Sequence, residues 1–289
     1  MRILFEEIFR IYKKEFLPIT FLWMLDTTEA LILLLNPYVI GLGIDGLIQK
    51  DFFWFSVLMI MEVAFLVIHT VNKFCDTRVY MRIIEDEKNM YYQRFIEAGM
   101  DDSLINSRME MVEEVPEFLE FDLFSILNVI GGIIVSLVFL LFNSNYIVFG
   151  LAFFVSAITF FTTFKFHNRI IRNNECIKDL DEEKMKCICS RKKYVYGKFL
   201  KKIVEVEIAS SDLDAKVFLV TRFFQVILLG VSIVSIIYGG NYTSGMLLSA
   251  ITYITLLNDN VNEVHDKIKS VQGLKKTVIR LKEDGTDEL

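Results

Sequence analysis

Asp26, Glu29, Glu62 and His69 each interrupt a long apolar run. Asp26 and Glu29 are three residues apart and therefore share one face of a helix. Glu62 and His69, seven apart, do the same. A carboxylate at the centre of a bilayer raises the insertion free energy by about 2.5–3.5 kcal/mol, which makes such residues functional candidates. Carboxylates beside an imidazole suit a divalent transition metal, another cation or a proton. The alternative is a set of protonated, hydrogen-bonded packing groups, or residues lining a wet cavity. With runs starting at Phe16 and Phe52, Asp26 and Glu62 each lie ten residues in, about 15 Å along a helix. Antiparallel helices then bring Asp26, Glu29 and Glu62 near the midplane, with His69 two turns nearer the inner side.

The elements that must hold these groups follow from the apolar runs. Hydrophobic residues make up 53 % of 289, with 26 Phe and only 3 Pro. Runs of this length cross about 30 Å of hydrocarbon at 1.5 Å per residue. Such runs exclude a soluble enzyme, a disordered chain and a disulfide mini-protein; because they do not alternate, a β-barrel is not expected. Six spans are expected: Phe16–Ile48, Phe52–Phe74, Phe121–Phe142, Tyr146–Phe166, Val217–Tyr238 and Ser244–Val264. Residues 1–15 form an amphipathic elbow with Ile3, Leu4, Phe5, Ile8, Phe9, Ile11 and Tyr12 opposite Glu6, Glu7 and Arg10. Residues 16–266 are the six-helix domain, and 267–289 a C-terminal helix and tail. No cleavable signal peptide is expected, because no small-residue cleavage site follows the first charged residues.

Connections alternate between very short ones (49–51, 143–145, 239–243) and two long ones (75–120, 167–216). Lys and Arg concentrate in the long ones, so both long loops and both termini are expected in the cytoplasm. The long loops are helical by periodicity, with turning points at Gly99–Ser103 and at Tyr196-Gly197. The net charge of −6 gives no reason to expect nucleic-acid binding.

Two stretches carry a resemblance. The first is Asn36-Pro37-Tyr38-Val39-Ile40-Gly41-Leu42-Gly43-Ile44-Asp45-Gly46; the second is Ser244-Gly245-Met246-Leu247-Leu248-Ser249-Ala250-Ile251-Thr252-Tyr253. With the loop pattern, they resemble the transmembrane domain of ABC exporters. The resemblance implies an all-α membrane protein, a half-domain of six transmembrane helices with long cytoplasmic extensions. It implies a homodimer in lipid whose fourth and fifth spans reach across to the other subunit. The sequence departs from exporters in two ways. It ends at Leu289, where their ATPase domain begins, and it has no G-x-x-x-x-G-K-[ST] loop. The expectation is therefore no cofactor of its own, with either a separate ATP-binding subunit or transport without ATP. The segment Asn258–Glu263 is also unusually polar for a sixth span.

The remaining clusters have plainer readings. Glu113, Glu114, Glu117, Glu120 and Asp122 read as a solvated helix face. Asp259, Glu263 and Asp266 read as an exposed inner mouth, and Arg222 as a snorkelling side chain. His167, Cys176, Cys187 and Cys189 read as inert and reduced, since one C-x-C without a second pair is a weak metal signal. Nothing supports an enzyme. Three functions remain: a transporter of a small substrate, with a divalent metal or proton-coupled cation among the candidates; a permease subunit served by a separate ATPase; and a non-transporting membrane partner or sensor.

Overall fold

A computed structural model describes residues 2–143, 146–162, 164–166, 193–239 and 242–283. Among the described residues there is no strand. The elbow is α1 (Arg2–Lys14), followed by α2 (Phe16–Ile48), α3 (Phe53–Glu97) and α4 (Asp102–Glu117). A π-helical turn (Phe118–Asp122) leads into α5 (Leu123–Asn143). Then come α6 (Tyr146–Phe166), α7 (Lys193–Tyr238) and α8 (Ser244–Glu283).

Among the described residues, five helical stretches are long and apolar enough to cross a membrane: α2, α3, the Leu104–Asn143 run, α6 and α7. The expected sixth span forms as the first half of α8 but falls outside that set. Asn258-Asp259-Asn260 dilutes its apolar run. The helix itself is secure, because one face buries Tyr253, Ile254, Leu257 and Val261, with Asn258 among them.

The chain divides into two compact units. One comprises Met1–Asn143 with Asn241–Leu289; the other is Ser144–Gly240, carrying α6 and α7.

In the first unit, α2 and α3 form a tight antiparallel hairpin. Its turn places Lys50 at φ 61° and returns the Asp51 N–H to the Gly46 carbonyl at 2.8 Å. The Asp51 carboxylate then accepts the Phe53 N–H at the start of α3. α3 runs unbroken to Glu97 and stops at Gly99, whose φ of +67° allows the Met100 N–H to reach the Phe95 carbonyl at 3.1 Å. This is the turning point expected from sequence. The one expected at Tyr196-Gly197 is not present, since α7 is already helical there. An isolated glycine weakens a helix by only about 1 kcal/mol and does not end it. The basic cluster before α7, with His167, Cys176, Cys187 and Cys189, lies outside the described residues.

α1 differs from the expected elbow. Leu4, Glu7 and Ile11 are all buried, whereas Phe5 and Phe9 are more than 60 % exposed. The helix therefore docks one row onto the bundle, where Leu4 and Ile11 join Leu22, Tyr80, Ile83 and Val278, and shows a phenylalanine row outward. Spacing alone cannot separate these two apolar rows. Arg10 forks between two acids: its Nη2 reaches Glu7 at 2.6 Å, and Nη1 and Nη2 both bond the Glu87 carboxylate of α3. Tyr91 donates to the same Glu7 oxygen at 2.9 Å.

The two stretches that carried the resemblance pack directly on each other. The Asp45 carboxylate at the end of α2 accepts the Gly245 N–H at 2.8 Å and the Thr243 hydroxyl. A carboxylate here satisfies free donors and complements the positive end of α8. One turn along, Gly41 and Gly245 touch backbone to backbone: a Cβ on Gly41 would meet the Gly245 carbonyl oxygen at 2.6 Å. Pro37 has no N–H, so the Leu33 carbonyl loses its usual helical partner. α8 supplies hydroxyls at this weak point. Ser249 donates to the Pro37 carbonyl at 2.8 Å, and Tyr253 donates to the Leu34 carbonyl at 2.9 Å. Small residues that let helices approach closely, with hydroxyls bonding across, form a typical membrane interface.

Candidate functional site

The α2–α3 hairpin positions every sequence-predicted site residue. Its register brings Asn36 opposite Glu62, Glu29 opposite His69 and Asp26 opposite Asn72. Asn36 donates to Glu62 at 2.9 Å. His69 Nδ1 lies 3.0 Å from Glu29 Oε2. Asn72 donates through one nitrogen to both Asp26 Oδ1 at 2.6 Å and Glu29 Oε1 at 3.0 Å. Asp26, Glu29 and His69 are thus brought together, with Asn72 as the bridge.

Glu62 is not part of that group. Ten residues separate it from Asn72 along α3, about 15 Å. The expected common depth fails because α2 has 33 residues, about 50 Å, and outruns the hydrocarbon thickness. Measured from the hairpin turn, Glu62 lies about 14 Å in, whereas Asp26 lies about 33 Å in. There are two polar levels, Asn36–Glu62 and Asp26–Asn72–Glu29–His69, and α2 and α3 carry both. Among the described residues, no three His, Cys, Asp or Glu side chains are grouped closely enough to hold a metal ion.

Sequence reasoning missed Asn72, the hub of the inner level. A signal was present, since His69, Asn72, Lys73 and Asp76 follow helical spacing and continue the His69 face down α3. Below them, Asp76 lies near Glu120 of the π-helical turn, and burial together with the neighbouring negative charges raises both carboxyls. Pro116 removes a helical N–H just before this turn. The acidic stretch is therefore not a simple solvated face. Glu113 pairs with Lys88, Glu114 accepts from Thr277 at 2.6 Å, and Asp122 accepts from Ser270; Glu117 is exposed. Asp259, Glu263 and Asp266 are exposed, as expected. Arg222 lies over the Phe218 ring, 5.5 Å from its centroid.

The family model described as an ABC transporter transmembrane region matches residues 6–245. The chain belongs to that family. As an ABC transporter transmembrane region, it places all four predicted site residues and Asn72 within the matched segment. The match also ends on Gly245, the residue seated against Gly41. No nucleotide-binding-domain family matches the chain, and no curated protein matches it.

Proposed function

We propose that this ABC transporter transmembrane chain is half of a homodimeric transporter that moves a small cation, a divalent metal or a proton-coupled ion, across the cytoplasmic membrane. It crosses six times with both termini inside, α8 providing the sixth span, and has no enzymatic activity of its own. The observation that carries this reading is the pairing of Asp26 and Glu29 through Asn72 on two apolar helices. Such an arrangement is costly in lipid unless it handles charge. Asn36–Glu62, about 15 Å away on the same hairpin, gives the ion a second stop. Family membership favours a separate ATP-binding subunit as the energy source.

In proteoliposomes, Glu29→Gln and Glu62→Gln are each expected to lower divalent-cation or proton flux by about tenfold or more, a 1.4 kcal/mol effect, while the dimer stays intact. Flux equal to the parent in both variants would remove the carboxyls from the pathway. Flux that appears only when an ATP-binding chain and ATP are added identifies that chain as the missing subunit.

Orientation rests on the Lys and Arg asymmetry. A cysteine placed at Asn143, the last residue of α5, should react with an impermeant reagent from outside the cell. Reaction only after the membrane is opened would invert the topology.

A further inference from the structure

α5 and α8 run antiparallel in one register. Near the outer end the Phe139 and Tyr253 rings stack with centroids 4.2 Å apart. Two turns inward, Gly132 seats the Asn260 side chain so closely that a Cβ would overlap it. At the inner end Asp122 accepts from the Ser270 hydroxyl.

Along the inner part of this seam lies a groove of about 370 Å³, within the usual range of small-molecule sites, about 300–1,000 Å³. α5 contributes Ile126, Val129 and Ile130, and α8 contributes Val264, Ile268 and Val271. The floor is firm: Val129 is 3 % exposed, and Ile126 and Val271 pack on the buried core that holds Leu119 and Leu274. Ile130 is half-exposed, so the groove is open on that side. Two polar side chains also line it, Lys267 and Gln272, and both lie on the inner side of Ile126.

The depth of the groove matches its polarity. Asp122, which faces Lys267, precedes the 21 residues of α5. It is therefore about 31 Å from the outer end of that helix, at the inner boundary of a hydrocarbon core about 30 Å thick. Ile130 is about 20 Å from the same end. The apolar end thus points toward the midplane and the cation toward the cytoplasmic headgroups.

In a bilayer such a groove is filled by hydrocarbon, because an unfilled lining forfeits its dispersion contacts. Acyl chains are as apolar as the lining, so burial alone selects nothing. The charge does select. Lys267 meets Asp122 Oδ1 at 3.7 Å, beyond hydrogen-bond range, which leaves its three donors to a phosphate. Among the described residues no acidic side chain lines the groove, and Asp266, next to Lys267 on α8, pairs with Lys269 at 3.9 Å. A basic pocket between spanning helices at the cytoplasmic face suits an anionic headgroup.

We infer that this groove binds one anionic phospholipid of the cytoplasmic leaflet, with an acyl chain along Ile126, Val129 and Ile130 and the phosphate on Lys267. The leaflet rests on the topology proposed above; the binding does not.

The test is native mass spectrometry of the detergent-purified full chain offered phosphatidylglycerol and phosphatidylcholine in equal amounts. The parent is expected to retain the anionic lipid about fivefold better, the effect of one basic residue near an anionic surface. Lys267→Gln should erase most of that preference. Lys14→Gln, which removes an exposed cation paired with Asp86, should keep it. Phosphatidylglycerol with a photoreactive acyl chain should label α5 near Ile130 or α8 near Val264, and Ile130→Trp should reduce the labelling. If Lys267→Gln does not fold, the parent's preference and the labelled peptides decide the matter. Equal retention of both lipids by the parent, or a preference unchanged in Lys267→Gln, overturns the anionic anchor. Labelling confined to other helices overturns the groove. Displacement of the label by equimolar oleate makes the occupant a free fatty acid and overturns the phospholipid. A cysteine at Ile130 that forms a disulfide with a second copy seats that copy on the groove and overturns the proposal. An inverted topology moves the lipid to the outer leaflet and leaves these results unchanged.

Discussion

Gly245→Ala is expected to lose about 3 kcal/mol of stability or more, a large effect for a single methyl group. A Cβ at Gly245 lands well inside contact distance of the Gly41 carbonyl oxygen and close to the Asp45 carboxyl carbon. The nearest obstacle is backbone, which cannot swing aside as a side-chain tip would. To admit the methyl group, α8 must move off α2. That displacement breaks the Asp45 contact to the Gly245 N–H and pulls the Ser249 and Tyr253 hydroxyls from their carbonyls. Thermal unfolding in detergent and the yield of folded protein report this directly. Gly150→Ala on α6 is the matched control: its Cβ meets nothing within 4 Å, so replacing the helical glycine should leave stability unchanged or raise it by up to about 1 kcal/mol. Gly245→Ala protein that melts with the parent would show that the two helices are not in backbone contact.

Arg10→Met is the second large effect. The substitution keeps most of the stem and removes the guanidinium from between Glu7 and Glu87, which are 7 % and 3 % exposed. Two buried carboxylates are left facing each other, a loss of about 3 kcal/mol; the low end of the range applies because the Arg10 side chain is 36 % exposed. Adding Glu7→Gln and Glu87→Gln to Arg10→Met should recover part of it. The pH dependence is a sharper signature. Burial pushes the Glu7 carboxyl up, but the Arg10 hydrogen bond and charge, Tyr91 and Lys282 together hold it below its ordinary 4.5. A depressed carboxyl contributes stability above its unfolded value and loses it as pH falls through the folded value. In Arg10→Met burial is left to push the Glu7 carboxyl toward its protonated form, so acid relieves the variant while it harms the parent. The stability gap should therefore close as pH drops below about 4.5. A gap that does not change with pH would refute the charge argument.

Much of this architecture is legible in the residues. Continuous apolar runs place α2, α3, α5, α6 and α7. Gly99 before Asp101 marks the α3–α4 turn because only a left-handed residue lets Met100 reach back to Phe95. The motif Pro37, Gly41, Asp45 and the motif Gly245, Ser249, Tyr253 were each readable, but not their mutual contact, since a contact between segments 200 residues apart leaves no local pattern. The site was half legible. Asp26, Glu29 and Glu62 were expected at one depth with His69 two turns inward; instead His69 meets Glu29 and Glu62 stands apart, because hydropathy shows where a run begins and not where the hairpin registers it. Asn72 was passed over for a different reason: although it follows the helical spacing of His69, a neutral amide is unremarkable until the carboxylates it bonds are known. Glu7 shows the converse. Placed on the polar face by composition, it is buried because Arg10 and Tyr91 bury it with them.

The Tyr253 hydroxyl has a mechanical consequence. It donates to the Leu34 carbonyl of α2, and Ser249 holds the Pro37 carbonyl next to it. In hydrocarbon no water replaces these partners, and each backbone group left bare there costs several kcal/mol. Parting α8 from α2 at this level would strip the Leu34 and Pro37 carbonyls of these hydroxyl donors at once. The proline that weakens α2 as a free rod is thus splinted by its neighbour, and the two helices form a single lever rather than a pair of gates. Motion that opens a path must pivot the α2–α8 lever as one piece or slide α3 along it. The polar levels are built across that α2–α3 seam, so such a slide would carry Glu62 and His69 past Asn36 and Glu29 and change which groups meet.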